Sequence, residues 1–440
     1  MEVSIMKEIV YIEKMAYGGN SIGKLPGGKI VFVEGAYPGE LVEITILKDK
    51  NDYAIAKVDK ILETIPERST PKCPYFKECG GCDFLDLKYD KQLEIKKQVF
   101  LEQLLRISGL NIKNVEIERS NFEYNYRLKM EFSVTRNKKL GFKRKKSNRV
   151  VEIKKCLIAP KPMNQVLDVL PEILDAFNVS VYNGRNGVLK NIVLRYSPRG
   201  ELMVVFVTKM ENFKDAKKIA NVLSKQVSLI TSVVHVMNSN DKVVLRGPYR
   251  ILKGEGVISY EFSWEKFQVP PTAFFQNNFY VTEKMIDYLT KNLDLNGNEV
   301  VLDLFSGLGT FSIRLALLSK FVVAVGSNHV SVKAGRANAN INGLRNIKFI
   351  ESDAYEFLKN SEKNFDVLVV DPPRSGLGKE MCNEILLRKP EKIAYVSCNP
   401  STFSRDLKML MELYEIKSIK LFDMFPQTYH IESIAILARK

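Results

Sequence analysis

The sequence predicts an α/β protein in three parts: an OB-like β-barrel, a central α+β region and a C-terminal Rossmann-like domain on a seven-stranded sheet. Three observations carry this expectation. Residues 1–62 alternate short strands with glycine turns, whereas residues 278–440 repeat strand and amphipathic helix in the order of a doubly wound parallel sheet. Within that repeat the apolar run Val301-Leu302-Asp303-Leu304 leads into Ser306-Gly307-Leu308-Gly309, where open α/β sheets bind nucleotides. A chain of 440 residues with 45% hydrophobic content can bury more than one core.

In the first part, residues 10–13, 28–33, 40–47 and 52–62 read as strands of a small barrel. Polar barrel loops are often just solvated, but the charge and context of its lysines and of the loop Tyr17-Gly18-Gly19-Asn20 favour contact with an RNA backbone. Pro66, Pro71 and Pro74 mark a linker into the central part, residues 63–277, which carries no nucleotide-binding signature. There, residues 136–149 hold eight basic side chains and no acid, broken by Leu140, Gly141 and Phe142. A hairpin presenting this run would meet phosphates, or would simply be solvated.

The formal charge of +15 points to a polyanionic partner, RNA first, because clustered cations gain affinity by releasing counterions. The first residues have neither a signal-peptide nor a transit-peptide pattern, and no apolar run approaches the roughly 20 residues that cross a bilayer. We therefore expect a soluble cytoplasmic protein with no membrane partner, and take it to be a monomer. Six cysteines in so long a chain make no disulfide scaffold; in a reducing compartment they serve as ligands or nucleophiles.

In the third part, strands begin near residues 300, 321, 347, 366 and 392, and two last strands, 416–422 and 431–438, follow without a full helix between them. Gly307 and Gly309 let the backbone approach a ligand closely, although a structural strand-to-helix turn would need glycines too. Asp353, after the third strand, can accept from an adenine amino group, cap the next helix, or do both. The second strand ends Gly326-Ser327-Asn328, without the acid that usually holds ribose hydroxyls. Asn328 or Ser327 offers only neutral hydrogen bonds there, weaker by about 1–2 kcal/mol than a charge-assisted pair.

The fourth strand ends in Asp371-Pro372-Pro373-Arg374 and the fifth in Ser397-Cys398-Asn399-Pro400, both facing the crevice. Amino-group methyltransferases often carry an Asn-Pro-Pro-Tyr type loop at the fourth tip, whereas here Arg374 stands in the fourth place and a cysteine lies on the next strand; a thiol has no use in methylating an amine but is needed to activate carbon. Carbon 5 of uracil becomes nucleophilic once a thiolate adds to carbon 6, and a base must then remove the carbon 5 proton. Cys398 suits the first role and Glu432 the second, since a sequestered carboxylate has a raised pKa. Cys382, on a helix, reads as a buried structural thiol, and His430 either positions a group or packs beside Glu432.

These residues closely resemble the class I, S-adenosyl-L-methionine-dependent RNA uridine C5-methyltransferase family, whose bacterial members act on 23S ribosomal RNA or transfer RNA. The resemblance spans nearly the whole chain, in order: a TRAM barrel with Ala36-Tyr37-Pro38-Gly39-Glu40, a cysteine cluster, Gln276 in Phe274-Phe275-Gln276-Asn277-Asn278, and the motifs at Asp303, Asp371, Cys398 and Glu432. It implies that Gln276, Asp303 and Asp371 line the pocket of cofactor and target base, with Phe274 beside the flipped uracil and Arg127 and Arg374 on the RNA. The family's second-strand glutamate falls at Gly326 or Ser327, a departure at the ribose contact.

Cys73, Cys79 and Cys82, with five and then two residues between them, and the distant Cys156 make a four-thiolate metal site. By spacing alone it suits zinc or a [4Fe-4S] cluster; the resemblance favours the cluster, which would fold the central domain against RNA. Barrel and cluster together resemble the 23S ribosomal RNA enzymes more than the bacterial transfer RNA ones, so 23S ribosomal RNA is the expected substrate and transfer RNA the alternative. A target uridine in folded RNA must be flipped out to reach Cys398. The competing class is a non-catalytic RNA-binding iron–sulfur protein that kept the fold; the presence of both Cys398 and Glu432 argues for the enzyme.

Overall fold

A computed structural model describes residues 7–240 and 244–440. Strands Lys7–Met15, Ser21–Lys24, Ile30–Glu34, Leu41–Asp49 and Tyr53–Glu63 close into a barrel. Alternation turns Val10, Ile12, Val31, Val33, Val42 and Ile44 inward, so each strand gives one face to the core and the other to solvent.

The central part holds a second sheet of seven strands, in spatial order Tyr249–Lys253, Ile230–Met237, Leu202–Thr208, Leu189–Tyr196, Lys129–Val134, Leu140–Lys143 and Val150–Glu152. Helices Lys161–Ala176 and Ala216–Gln226 cover one of its faces, and the other packs against the C-terminal part through Val193, Val205, Phe275 and Phe279. The basic run does form hairpins, but several of its charges are already engaged. Lys138 pairs with Asp175, Arg144 with Glu78, and Lys145 with both Asp83 and Glu34 of the barrel. It thus ties the cysteine segment to the barrel as well as offering cations to solvent.

The C-terminal sheet runs Ile347–Glu351, Phe321–Gly326, Val300–Leu304, Val367–Val370, Lys392–Ser397, Glu432–Arg439, Tyr414–Phe422. The first five are parallel, and Glu432–Arg439 returns antiparallel beside Lys392–Ser397. An eighth strand, Glu116–Glu118, pairs parallel with Tyr414–Phe422. Three residues are too short to read as a strand from sequence; the pairing makes them one. The helix Tyr89–Gln103 joins the same layer, with Phe100 packed on Phe403 of the helix Pro400–Leu410. Residues 89–118, which lie in the expected central segment, therefore build the edge of the C-terminal sheet. Strand order reverses direction between Val300–Leu304 and Val367–Val370, which puts a crevice at their carboxyl ends.

Candidate active site

Two strand tips meet at that crevice. Antiparallel register pairs Ser397 with Ser433, and Ser433 Oγ donates to the Ser397 carbonyl at 3.3 Å, so Cys398 and Glu432 lie one residue further on, opposite each other. Asn399 caps the helix Pro400–Leu410, accepting from Ser401 N at 3.0 Å, while its amide donates to the Arg374 carbonyl at 2.9 Å. Thr402 Oγ1 donates to the same carbonyl at 3.2 Å. The loop after Asp371 is thereby fastened to the turn that presents Cys398.

The electrostatics follow from burial. Glu432 is held well above the usual carboxylate range by burial and then by Asp371, with Arg374 opposing. Burial alone pushes Asp371 up to about 7. The Cys398 thiol is pushed up to about 12 by burial and then by Glu432, and Arg374 again opposes. Arg374 is the cation that favours the charged form of both groups. Its Nη2 lies 3.4 Å from His430 Nδ1, and His430, pressed against Phe425 and Tyr429, is lowered to about 3 by burial first and by Arg374 next. Burial favours the neutral imidazole, which meets Arg374 as well as the two rings, so its contacts suit both the positioning and the packing reading.

At the other tip, Asp303 is buried and Ser312 Oγ donates to its Oδ2, leaving Oδ1 and the neighbouring Ser306 Oγ without hydrogen-bond partners. Burial pushes Asp303 up to about 7. Gly307 and Gly309 have φ of +58° and +93°, which only glycine adopts without strain, and the space a Gly307 side chain would take is open. Asn328 accepts from Ser331 N at 2.9 Å, and Asp353 accepts from Tyr355 and Glu356 N at 2.9 and 3.1 Å. Both therefore cap helices. Gly326 borders the same space, where a Cβ would sit 3.5 Å from Gly307 N.

Phe274 is 59% exposed and Gln276 partly buried, on a loop whose Pro271 and Ala273 carbonyls both accept from Arg195. Arg195 is fully buried and was not singled out from sequence, although an arginine in the apolar strand Leu189–Tyr196 is a visible signal. Arg127 is partly buried, its guanidinium 5.8 Å from the Phe425 ring.

Cys73, Cys79, Cys82 and Cys156 all line one cavity of about 530 Å3, with Arg127, Thr428, Tyr429 and His430 on its other wall. Burial raises the Cys79 thiol to about 11 and Cys82 further, and in both cases the other cysteines add to the rise. Among the described residues no group of three or more side chains is arranged to hold a metal ion. The cysteine segment also grips the loop before Glu432: Asp83 N and Phe84 N donate to the Gln427 carbonyl at 2.8 and 3.0 Å. Behind it, buried Lys96 pairs with Asp423 at 2.5 Å and donates to the Phe425 carbonyl at 3.0 Å. Cys382 is buried on its helix, as expected.

A five-stranded barrel ahead of a doubly wound sheet with a reversed seventh strand, and a ligand crevice at its switch point, is the architecture of a methyltransferase with an appended TRAM module. The TRAM domain profile matches residues 9–58. The chain belongs to the tRNA (uracil-5-)-methyltransferase family, whose profile matches residues 88–440. It is 47% identical to an uncharacterized RNA methyltransferase of Thermotoga maritima, over 99% of each chain, and 38% identical to one of Aquifex aeolicus, over 98% of each. Its structure is similar to that of the Pyrococcus abyssi tRNA (uracil-54, C5)-methyltransferase in complex with S-adenosyl-L-homocysteine, at TM-score 0.79 and 29% identity, over 98% of this chain and 99% of that one. Among the described residues no helix is long and apolar enough to cross a membrane.

Proposed function

We propose that the protein methylates carbon 5 of a uridine in folded RNA, with Cys398 as nucleophile and Glu432 as base. The carrying observation is the antiparallel register that sets Cys398 opposite Glu432 at the mouth of the crevice. S-adenosylmethionine fits the first-strand tip: Asp303 Oδ1 and Ser306 Oγ are buried acceptors without partners beside a glycine turn open to a ligand. Gln276, Asp371 and the turn of Gly307 and Gly309 would complete its pocket, and Asn328 and Asp353 would present what their capping duties leave free. When bound, the cofactor supplies an electrophilic methyl group.

The chain's own residues do the rest. Cys398 gives its proton to solvent and its thiolate forms a bond to carbon 6, which makes carbon 5 nucleophilic; after methylation Glu432 takes the carbon 5 proton, the carbon 5–carbon 6 double bond returns and the sulfur leaves as thiolate. Arg374, which favours both the thiolate and the carboxylate, opposes the burial that would keep them neutral. Phe274, exposed at the rim, offers a face for a flipped base, and Arg127 a cation for phosphate.

Four thiols lining one cavity are a donor set that suits a metal group in chemistry, although among the described residues they are not drawn together as a ligand set. They would hold a [4Fe-4S] cluster whose part is structural, bracing the loop that carries His430 and leads to Glu432. For the substrate, 23S ribosomal RNA is the first reading, because barrel and cysteine cluster occur together. Transfer RNA is the second: a solved structure similar over 98% of this chain is that of a transfer RNA enzyme.

The test uses anaerobically purified protein, labelled S-adenosylmethionine and unmodified 23S ribosomal RNA or transfer RNA, with 5-methyluridine mapped by nuclease digestion and mass spectrometry. Label in ribosomal RNA supports the first reading, and label in transfer RNA alone the second. A trapped covalent RNA adduct is expected for Glu432→Gln. No product on either RNA and no cofactor binding would leave the non-catalytic RNA-binding protein. Iron and zinc content of the same sample distinguishes cluster from zinc.

A further inference from the structure

The first turn of the barrel enters the catalytic crevice. The Tyr17 hydroxyl donates to the carbonyl oxygen of Cys398 at 3.2 Å, and its ring meets that of Tyr429 edge-on, with centroids 6.0 Å apart. Two residues on, Gly19 has φ of +85°, and a Cβ there would come within 2.9 Å of the Tyr429 ring. The turn is closed by its own hydrogen bonds, Ala16 N to the Asn20 carbonyl at 2.8 Å and Gly19 N to the Ala16 carbonyl at 3.3 Å. Met15 and Tyr37 share an apolar cluster with the strands of the C-terminal sheet, so the barrel is seated there by more than this contact.

Tyr17 is thus braced between the residue before the Asn399 cap and the loop before Glu432. Its hydroxyl is pushed up to about 12, mainly by burial, and feels the charges of Arg374, Cys398 and Glu432. It is a neutral donor at working pH, within the electrostatic reach of the reacting groups. A carbonyl fixed from outside sets the peptide plane, and with it the direction in which the Cys398 side chain leaves the strand. A misplacement of about 1 Å at a reacting atom can cost about 100-fold in rate.

We propose that Tyr17 is a positioning residue for the nucleophile: it locks the Cys398 peptide and braces Tyr429, so the docked barrel is part of the catalytic site as well as an RNA-binding module. This rests on Cys398 being the nucleophile. RNA drawn onto the barrel would then meet a thiol whose aim depends on that same barrel.

The experiment compares wild type, Tyr17→Phe, Tyr17→Leu and Cys398→Ala as full-length proteins, on whichever of transcribed transfer RNA and 23S ribosomal RNA the wild type methylates. A 5-fluorouridine copy of that RNA traps the adduct, because fluorine cannot leave as a proton does. For Tyr17→Phe, kcat and the rate of adduct formation are expected to fall about 5- to 10-fold, with KM for RNA unchanged within about twofold. Tyr17→Leu, which also loses the contact with Tyr429, falls further; hydrogen exchange quickens at residues 397–401 in both variants and at 427–431 in Tyr17→Leu. Weaker RNA binding with unchanged kcat would make Tyr17 an RNA contact and overturn the proposal, as would wild-type behaviour of Tyr17→Phe. An adduct that survives Cys398→Ala, or no adduct with any protein, would instead remove the nucleophile on which the proposal rests.

Discussion

The two working ends of the C-terminal sheet are built in opposite ways. The tip of Val300–Leu304 is local: Asp303, the glycine turn and the helix that follows lie within 16 residues of one another, and the space around Gly307 is open. The tip of Lys392–Ser397 is assembled from a distance, with the turn after Asp371, the loop before Glu432 and the barrel's Tyr17 all converging on Cys398. Both ends bury a carboxyl that rises to about 7, Asp303 at one and Asp371 at the other. A ligand can complete the open end, whereas the crowded end holds its side chains in place without one. Binding needs orphaned acceptors, and chemistry needs positioned ones.

The largest effect is expected at the proposed nucleophile. Cys398→Ala is expected to lower methylation by at least about 10,000-fold while cofactor affinity stays unchanged by calorimetry, because only the crowded end loses its reacting group. Next comes Arg374→Met. Without the cation that opposes burial at Cys398 and Glu432, both stay protonated to higher pH, so the rate falls roughly 10- to 100-fold and the rising limb of the pH–rate profile moves upward. An unshifted profile would show that Arg374 acts on RNA alone.

The open end responds more mildly. A Cβ at Gly326 meets only ordinary van der Waals contacts, and Gly326→Glu, which puts an acid where a ribose acceptor is missing, is expected to tighten S-adenosylmethionine by about 5- to 30-fold, read by calorimetry. Unchanged affinity would mean that Asn328 or Ser327 already does the work. The smallest effect is on stability. Because the Asp303 carboxyl is raised from 3.8 to about 7, its contribution is fully present below its unfolded pKa and is lost as pH rises through 7. Between pH 5 and 8 the ligand-free wild type should therefore lose about 2–4 °C more in melting temperature than Asp303→Asn.

What was legible in the sequence divides along the same line. Asp303, Gly307 and Gly309 could be read because a strand, a turn and a helix start are contiguous, and the caps at Asn328 and Asp353 are local hydrogen bonds. The partners of Arg195 and Tyr17 were not legible, although the arginine in its apolar strand and the loop of Tyr17 both stand out in the sequence. One is an arginine in a strand more than 70 residues from the carbonyls it serves, and the other lies 381 residues before the carbonyl it meets. The basic run shows the same limit: its eight cations can be counted from sequence, but not that Lys145 would be held by Asp83 and Glu34.

By itself the sequence determined the three-part order, the doubly wound sheet and the residue types at each strand tip, because period, turn chemistry and motif spacing act over a few residues. Only the tertiary structure decided that residues 89–118 complete the sheet edge, that the basic run is partly neutralised, and that cysteine cavity and barrel turn press on the loop before Glu432 from two sides. Those are contacts between surfaces brought together by burial of apolar area, which is non-directional and leaves no spacing rule along the chain to read.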